Sequence, residues 1–350
     1  MNVPKLRFKE FNDEYINLKY KDVLKIKSGR DQRQVECESG IYPILGTGGQ
    51  IGKTNSFLYD KPSVLIGRKG TINKPQYMET PFWTVDTLFY SHIYEPNIPK
   101  YLFYSFQNVN WKKYDESTGV PSLSSSTIES VECNIPSKEE QLKVADFLSL
   151  LDKKIELQSK KIEDLKLFTK NTISNELNNL QNYNIFKFKD ICNIQTGKSN
   201  TQDKCDDGIY PFYIRSENIE RSNNYIFDCE AVLTIGDGNI GKVFFYENGK
   251  FDCHQRVYVL NNFKNVLGKY VYYYFSSFFY KRAMSMSAKN TVDSVRMEMI
   301  SDMIIKVPQE NEQIKMINLF SSLDKKLGLE QNKLDKIQEL KKGLMQNMFI

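Results

Sequence analysis

Two stretches of the chain repeat their apolar residues every three and four positions, with an interruption at the same step. The first aligns Leu148, Leu151, Ile155, Gln158, Ile162 and Leu165; the second aligns Phe320, Leu323, Leu327, Glu330, Leu334 and Ile337. Steps of three and four put such residues on one stripe of an α-helix, the seam of a coiled coil. Gln158 and Glu330 are the shared polar break. Both stretches also carry a proline (Pro136, Pro308), a Glu-Gln pair (Glu140-Gln141, Glu312-Gln313) and a Leu-Asp-Lys-Lys (Leu151 to Lys154, Leu323 to Lys326). Proline fixes the backbone for a helix start, and the acidic residues after it suit the positive end of the helix dipole. The pattern predicts two long helices, over 137–182 and 309–350, that pack on each other. At about forty residues each would extend about 60 Å, a rod suited to act as a spacer. Acids and bases nearly cancel along each helix. Ile173, Leu177, Met345 and Met348 fall outside the main seam and are left over, which points to outer faces offered to partner proteins.

The chain outside the helices repeats as well. Lys19–Arg30 aligns without a gap on Lys187–Lys198, and Gly40–Pro43 meets Gly208–Pro211 at the same offset. VLIGRKGTINK (Val64–Lys74) meets VLTIGDGNIGK (Val232–Lys242), and the aromatic block from Lys100 meets the one from Lys269. The opening block reads as one short strand ending at a Ser-Gly or Thr-Gly turn. Further strands are expected at 42–45 and 210–214, at 64–66 and 232–235 before glycines, and at 88–93 and 257–260. Aromatic helices over 100–106 and 269–279 then pack on the sheets. The copies differ most at 111–128 and 281–299. The expected fold is α+β, with two similar mixed α/β domains (1–136 and 183–308), each followed by a long helix. A shared scaffold with divergent loops suggests two modules of one kind aimed at different targets.

Composition narrows the class. The 350 residues are 40% hydrophobic and 13% aromatic, enough for two folded cores, with a net charge of +5. That charge permits a nucleic-acid partner without demonstrating one. No apolar run of about eighteen residues exists to span a membrane, and the N-terminal stretch lacks the apolar core of a signal peptide. Six scattered cysteines without a CxxC read as reduced thiols, so a cytoplasmic location is expected and no metal site.

Catalytic constellations are sparse. There is no (Asp/Asn)-Pro-Pro-aromatic tetrapeptide of an amino methyltransferase. The run from Gly46 to Gly49 is a weak phosphate cradle and reads better as a tight turn. His92 and His254 are the two histidines, and Cys253-His254 reads as core packing more than as ligands. Asp86, Asp237 and Glu247 do not form a trusted nuclease spacing. No catalytic residue is assigned.

Binding remains. Cations sit on or beside the predicted loops: Lys27, Arg30, Arg68, Lys69, Lys74, Lys112 and Lys113 in the first copy. The second has Lys198, Arg215, Lys242, Arg256, Lys281, Arg282 and Lys289. With Thr47, Ser216, Asn218 and Asn239 among them, these loops could meet phosphates and base edges of double-stranded DNA. The competing readings are a nuclease or methyltransferase with a disguised site, and a coiled-coil scaffold without DNA.

The duplicated P-x3-EQ-x6-FLSLLD and P-x3-EQ-x6-LFSSLD motifs, each behind an aromatic KYLFY or KYVYYYF segment and a VLIGRKG or VLTIGDG strand, resemble type I restriction–modification specificity subunits. The resemblance covers essentially the whole chain. It implies two target recognition domains that read a bipartite sequence, with the two helices packed antiparallel as a ruler for the unread gap. It also implies two modification methyltransferase subunits as partners and, where the system has them, motor-nuclease subunits. S-adenosylmethionine, ATP and Mg are then expected in those partners, and none of them in this non-catalytic chain. A type II enzyme cutting near a split site would use a similar subunit.

Overall fold

The computed structural model describes residues 2–286 and 294–350, so Lys289 lies outside the described residues. The chain forms two compact units. One comprises Met1–Ser159 with Asn332–Ile350, the other Lys160–Gln331. Each therefore holds one copy of the repeat and a piece of both long helices, Lys138–Asn178 and Glu310–Met348.

In the first unit, strand Ile16–Lys19 pairs antiparallel with Glu132–Ile135. A four-stranded sheet follows in the order Leu24–Lys27, Leu88–Ile93, Ser63–Gly67, Gln76–Met78. A three-stranded sheet sets Tyr42–Gly46 between Gly49–Thr54 and Trp83–Thr84. Helix Pro99–Asn108 packs its Tyr101, Leu102, Tyr104 and Phe106 into one core with Tyr20, Val64, Ile66 and Trp111.

The second unit repeats the plan. Tyr183–Lys187 pairs with Ile304–Pro308. Asn193–Thr196, Val257–Asn261, Phe227–Ile235, Phe244–Cys253, Tyr210–Tyr213 and Ile219–Ser222 form one six-stranded sheet in that order. Helix Gly268–Ser285 covers it, with Tyr270, Phe275 and Phe279 in the core.

The opening block holds the short strand expected before its Ser-Gly or Thr-Gly turn, Leu24–Lys27 and Asn193–Thr196, but does not begin with it. Between Ile16–Lys19 and Leu24–Lys27 lies a one-turn helix, Tyr20–Val23, and Phe188–Ile191 repeats it. Its cause is local: Asp22 accepts the Lys19 N–H at 2.9 Å, and Asp190 accepts the Lys187 N–H at 3.0 Å. A carboxylate three residues into the turn satisfies a donor that the helix start would leave orphaned. The turn after the second strand requires glycine for lack of space. A Cβ on Gly29 would overlap the Val85 carbonyl, and one on Gly197 the Cys253 carbonyl.

Within each unit the two helix segments run antiparallel. In the first unit Lys341 pairs with Asp152, and Met345, Met348 and Phe349 share a core with Val144, Ala145 and Leu148. In the second, Lys161 pairs with the buried Glu330 at 3.0 Å, and Leu177 shares a core with Met316 and Phe320. Seam residues Leu148, Ile162, Phe320 and Leu334 are buried, while Leu151, Ile155, Leu165, Leu323, Leu327 and Ile337 are partly covered. Burying a Leu or Phe of this kind contributes about 1.5–3 kcal/mol. The residues expected to be left over are not. Leu177, Met345 and Met348 are buried, and Ile173 packs against the same core as Leu177. They plug the helix ends into the globular cores. The exposed apolar side chains of the helices are instead Leu150, Leu157, Phe168, Leu329 and Leu340, among others.

The repeated motifs have a joint explanation. Gln141 and Gln313 are each 2% exposed. Gln141 Oε1 accepts the Ile98 N–H at 2.9 Å and its Nε2 donates to the Pro136 carbonyl at 3.0 Å. Gln313 does the same with Leu267 and Pro308, both at 2.9 Å. Ile98 and Leu267 are the N-caps of the aromatic helices. Tyr104 then donates to Asp152 and Tyr273 to Asp324, each at 2.7 Å. One Gln, one Tyr and one Asp thus fasten each aromatic helix to its long helix.

Candidate nucleic-acid interface

In each copy a central strand ends in a tight turn that the surrounding backbone pins in place. In the first copy, strand Ser63–Gly67 runs into Arg68, Lys69 and Gly70. Arg68 N–H donates to the Thr87 carbonyl and Gly70 N–H to the Pro121 carbonyl, both at 2.8 Å. Gly70 has φ +94°, a left-handed conformation that glycine adopts without strain. Its counterpart Gly238 has φ +76°. Gly236 N–H donates to the Arg256 carbonyl, and Val295 N–H to the Gly236 carbonyl, both at 2.7 Å. Fixing the main chain in this way makes the intervening side chains project outward.

Beside each turn lies an open polar cleft. The first has a volume of about 650 Å³ and is lined by Ser28, Arg68, Lys69, Asp86, Glu116 and Ser122, with neighbouring residues. The second measures about 340 Å³ and is lined by Thr196, Gly236, Gln255, Arg256, Tyr258, Ser294 and Val295. Ser28 and Thr196 hold the same place in the repeat, as do Phe89 and Tyr258, which face the corresponding strand positions.

The charges differ. Lys69 in the first copy aligns with Asp237 in the second. Asp237 receives Arg215 at 3.3 Å and Arg256 at 3.7 Å. Its side chain is 21% exposed, and those of the two arginines 49% and 58%. His254 lies beneath, and its Nδ1 accepts the Arg256 N–H at 3.0 Å. Burial, with Arg215 and Arg256 close by, holds the imidazole below its ordinary pKa. The arrangement can donate to phosphates and to acceptor edges of bases, and among the described residues no group of three His, Cys, Asp or Glu is placed to hold a metal ion.

A family model described as the type I restriction modification DNA specificity domain matches residues 12–167 and, a second time, residues 181–339. The chain belongs to that family. It is 24% identical over 157 residues to the type I restriction enzyme EcoDI specificity subunit of Escherichia coli. That match covers 45% of this chain and 34% of the relative, so the chain aligns with about a third of the relative's length. Its fold is similar to the crystal structure of the type I restriction-modification system S subunit from M. genitalium. The TM-score is 0.70 at 15% identity, over 99% of each chain. A second likeness has a TM-score of 0.59 at 11% identity over 95% of this chain and 96% of the other. It is to a chain solved in work on complex assembly and conformational transition of the type I R-M system.

Within this specificity-family fold, the residues singled out from sequence scatter in role. Arg68 and Lys69 share the first cleft, and Thr47 adjoins the turn with its hydroxyl 3.8 Å from where a Cβ on Gly70 would lie. Lys27, Arg30, Lys74, Lys112 and Lys113 are exposed. Arg215 and Arg256 converge on Asp237, and Asn239, Lys198 and Lys281 are exposed. Lys242 lies over the Tyr280 ring at 5.6 Å. Ser216 and Asn218 hydrogen-bond within one local turn. Arg282 directs its Nε at the Met299 carbonyl, 2.7 Å away, and so ties two helices together. Sequence reading missed Ser28, Thr196, Gln255, Tyr258 and Ser294, because the cleft walls come from strands and loops far apart in the chain. Ser28 and Thr196 did carry a signal, since they open the repeated Ser-Gly and Thr-Gly turns.

Proposed function

We propose that this chain is a non-catalytic, cytoplasmic targeting subunit that reads a two-part DNA sequence, one half with each copy of the repeat. The observation that carries the reading is the pair of clefts at one scaffold position, built twice with different charge. Arg68 and Lys69 in one copy, and Arg215 and Arg256 in the other, are suited to phosphates and to the O6/N7 acceptor edge of guanine. Two moderate contacts on one chain reinforce each other by effective concentration, so a split site is held far better than either half. In this reading the 41-residue and 39-residue helices act as the spacer over unread base pairs. Two modification methyltransferase subunits, and motor-nuclease subunits where present, dock on the subunit. S-adenosylmethionine, ATP and Mg belong to them. Adenine methylation needs the base out of the stack, so the subunit's task is delivery of the enzyme that flips it.

The test is co-expression with the genomically adjacent methyltransferase, followed by mapping of methylated adenines in host DNA. A two-part motif with a fixed gap, absent when this chain is omitted, is the expected result. A soluble complex without new methylation would favour the scaffold reading, and a continuous motif would mean that one copy is silent.

A further inference from the structure

The two copies differ at the foot of their long helices in a way that the repeat does not require. In the first unit, residues 2–15 cover this place. Arg7 donates to both carboxylate oxygens of Glu140, at 2.8 and 2.7 Å, and Tyr15 donates to the same carboxylate at 2.9 Å. Glu140 is 1% exposed as a result. Phe8 packs edge-on against Phe147 at 5.7 Å with Lys143 over its ring at 4.9 Å, and Leu6 N–H donates to the Asn347 carbonyl.

The second unit repeats the receiving residues: Glu312 for Glu140, Lys315 for Lys143, Leu319 for Phe147 and Tyr183 for Tyr15. Here, however, the chain arrives from the end of the long helix at Asn178 and starts its strand at Tyr183, with no stretch comparable to residues 2–14. An open groove of about 780 Å³ results, lined by Tyr183, Asn184, Leu267, Pro308, Glu310 and Gln313, among others. Beside it Tyr183 is 37% exposed against 4% for Tyr15, and Ile314 and Leu319 are about two-fifths exposed. Glu312, next to Gln313, meets Lys315 at 3.3 Å, with its side chain 48% exposed.

We propose that this groove, together with the exposed helix face of Glu312 and Leu319 beside it, docks an extended segment of a partner protein that presents an arginine beside an aromatic residue. The arginine pairs with Glu312, as Arg7 pairs with Glu140, and displaces the local Lys315 contact. The aromatic ring covers Leu319, as Phe8 covers Phe147. Charge complementarity and the occupied counterpart in the same chain define this occupant.

The probe is a fluorescein-labelled peptide with the sequence of residues 2–15, titrated against the full chain by anisotropy. Saturable binding is expected, weakened about tenfold by Glu312→Gln in the protein and by an alanine in place of the peptide's arginine. A photo-crosslinker in place of the peptide's Phe8 should label 181–186 or 309–319. No saturable binding, indifference to Glu312→Gln, or labelling confined to the first unit would overturn the proposal. Self-association of the chain that Glu312→Gln abolishes would also overturn it, by giving the groove to a second copy. Because Glu312 is half exposed, an unchanged melting temperature for the variant keeps loss of binding distinct from loss of fold.

Discussion

Replacing Gln313 with Leu isolates the fastening between an aromatic helix and its long helix. The side chain is 2% exposed and makes two hydrogen bonds, from the Leu267 N–H and to the Pro308 carbonyl, each 2.9 Å. Leucine fills a similar volume and restores neither bond. The Leu267 N–H is then an unsatisfied donor at a helix start, and the Pro308 carbonyl loses its partner. An orphaned buried backbone group costs about 1–3 kcal/mol. Allowing for partial relaxation, the variant should lose about 2 kcal/mol, roughly a thirtyfold change in the folded-to-unfolded ratio. Urea unfolding should show a lower midpoint with an unchanged slope. Amide exchange should show lost protection at Leu267 in particular, while Ile98, served by Gln141 in the other unit, keeps its own. An unfolding free energy within about 0.5 kcal/mol of the parent, the usual spread of neutral surface changes, would refute the fastening argument. So would loss of protection at Leu267 and Ile98 alike.

Arg215→Ala or Lys242→Ala should weaken binding to sequences carrying the second half-site and leave the first half-site's contribution intact. Electrophoretic mobility assays on half-site variants check this, and unaltered binding and methylation for both would show the loop assignment to be wrong. Inserting four residues in both long helices, about one turn or ~6 Å, should lengthen the tolerated gap in the methylation motif; an unchanged motif would refute the spacer role. His254 should confer a pH dependence. Its pKa is lowered in the folded state, so the unfolded chain takes up the proton first, and stability falls as pH drops below about 6.5. His254→Asn keeps an acceptor for the Arg256 N–H and should flatten that part of the profile in urea titrations from pH 7.5 to 5.5.

The features legible before any coordinates were those carried by regular spacing. The seam from Leu148 to Leu165 and its match from Phe320 to Ile337 specify helices, because a stripe of apolar residues at steps of three and four has one conformation that buries it. The short apolar runs Val64–Ile66 and Val232–Ile235, bounded by the glycines after them, specify buried strands and turns. Matching motifs in register specify that the fold is made twice.

What spacing could not convey is which distant groups meet. Gln141 and Gln313 were visible as half of a repeated pair, but their partners at Ile98 and Leu267 lie more than forty residues away. Met345 and Leu177 read as surplus on a helix face because periodicity assigns a face without saying what stands opposite it. Asp237 read as a stray carboxylate until folding brought Arg215 and Arg256 to it. The sign and strength of such a cluster depend on distances of a few ångströms between segments separated in the chain. Local pattern therefore decides the elements and their duplication. Tertiary contact decides the clefts, the fastenings and the groove that one copy fills and the other leaves open.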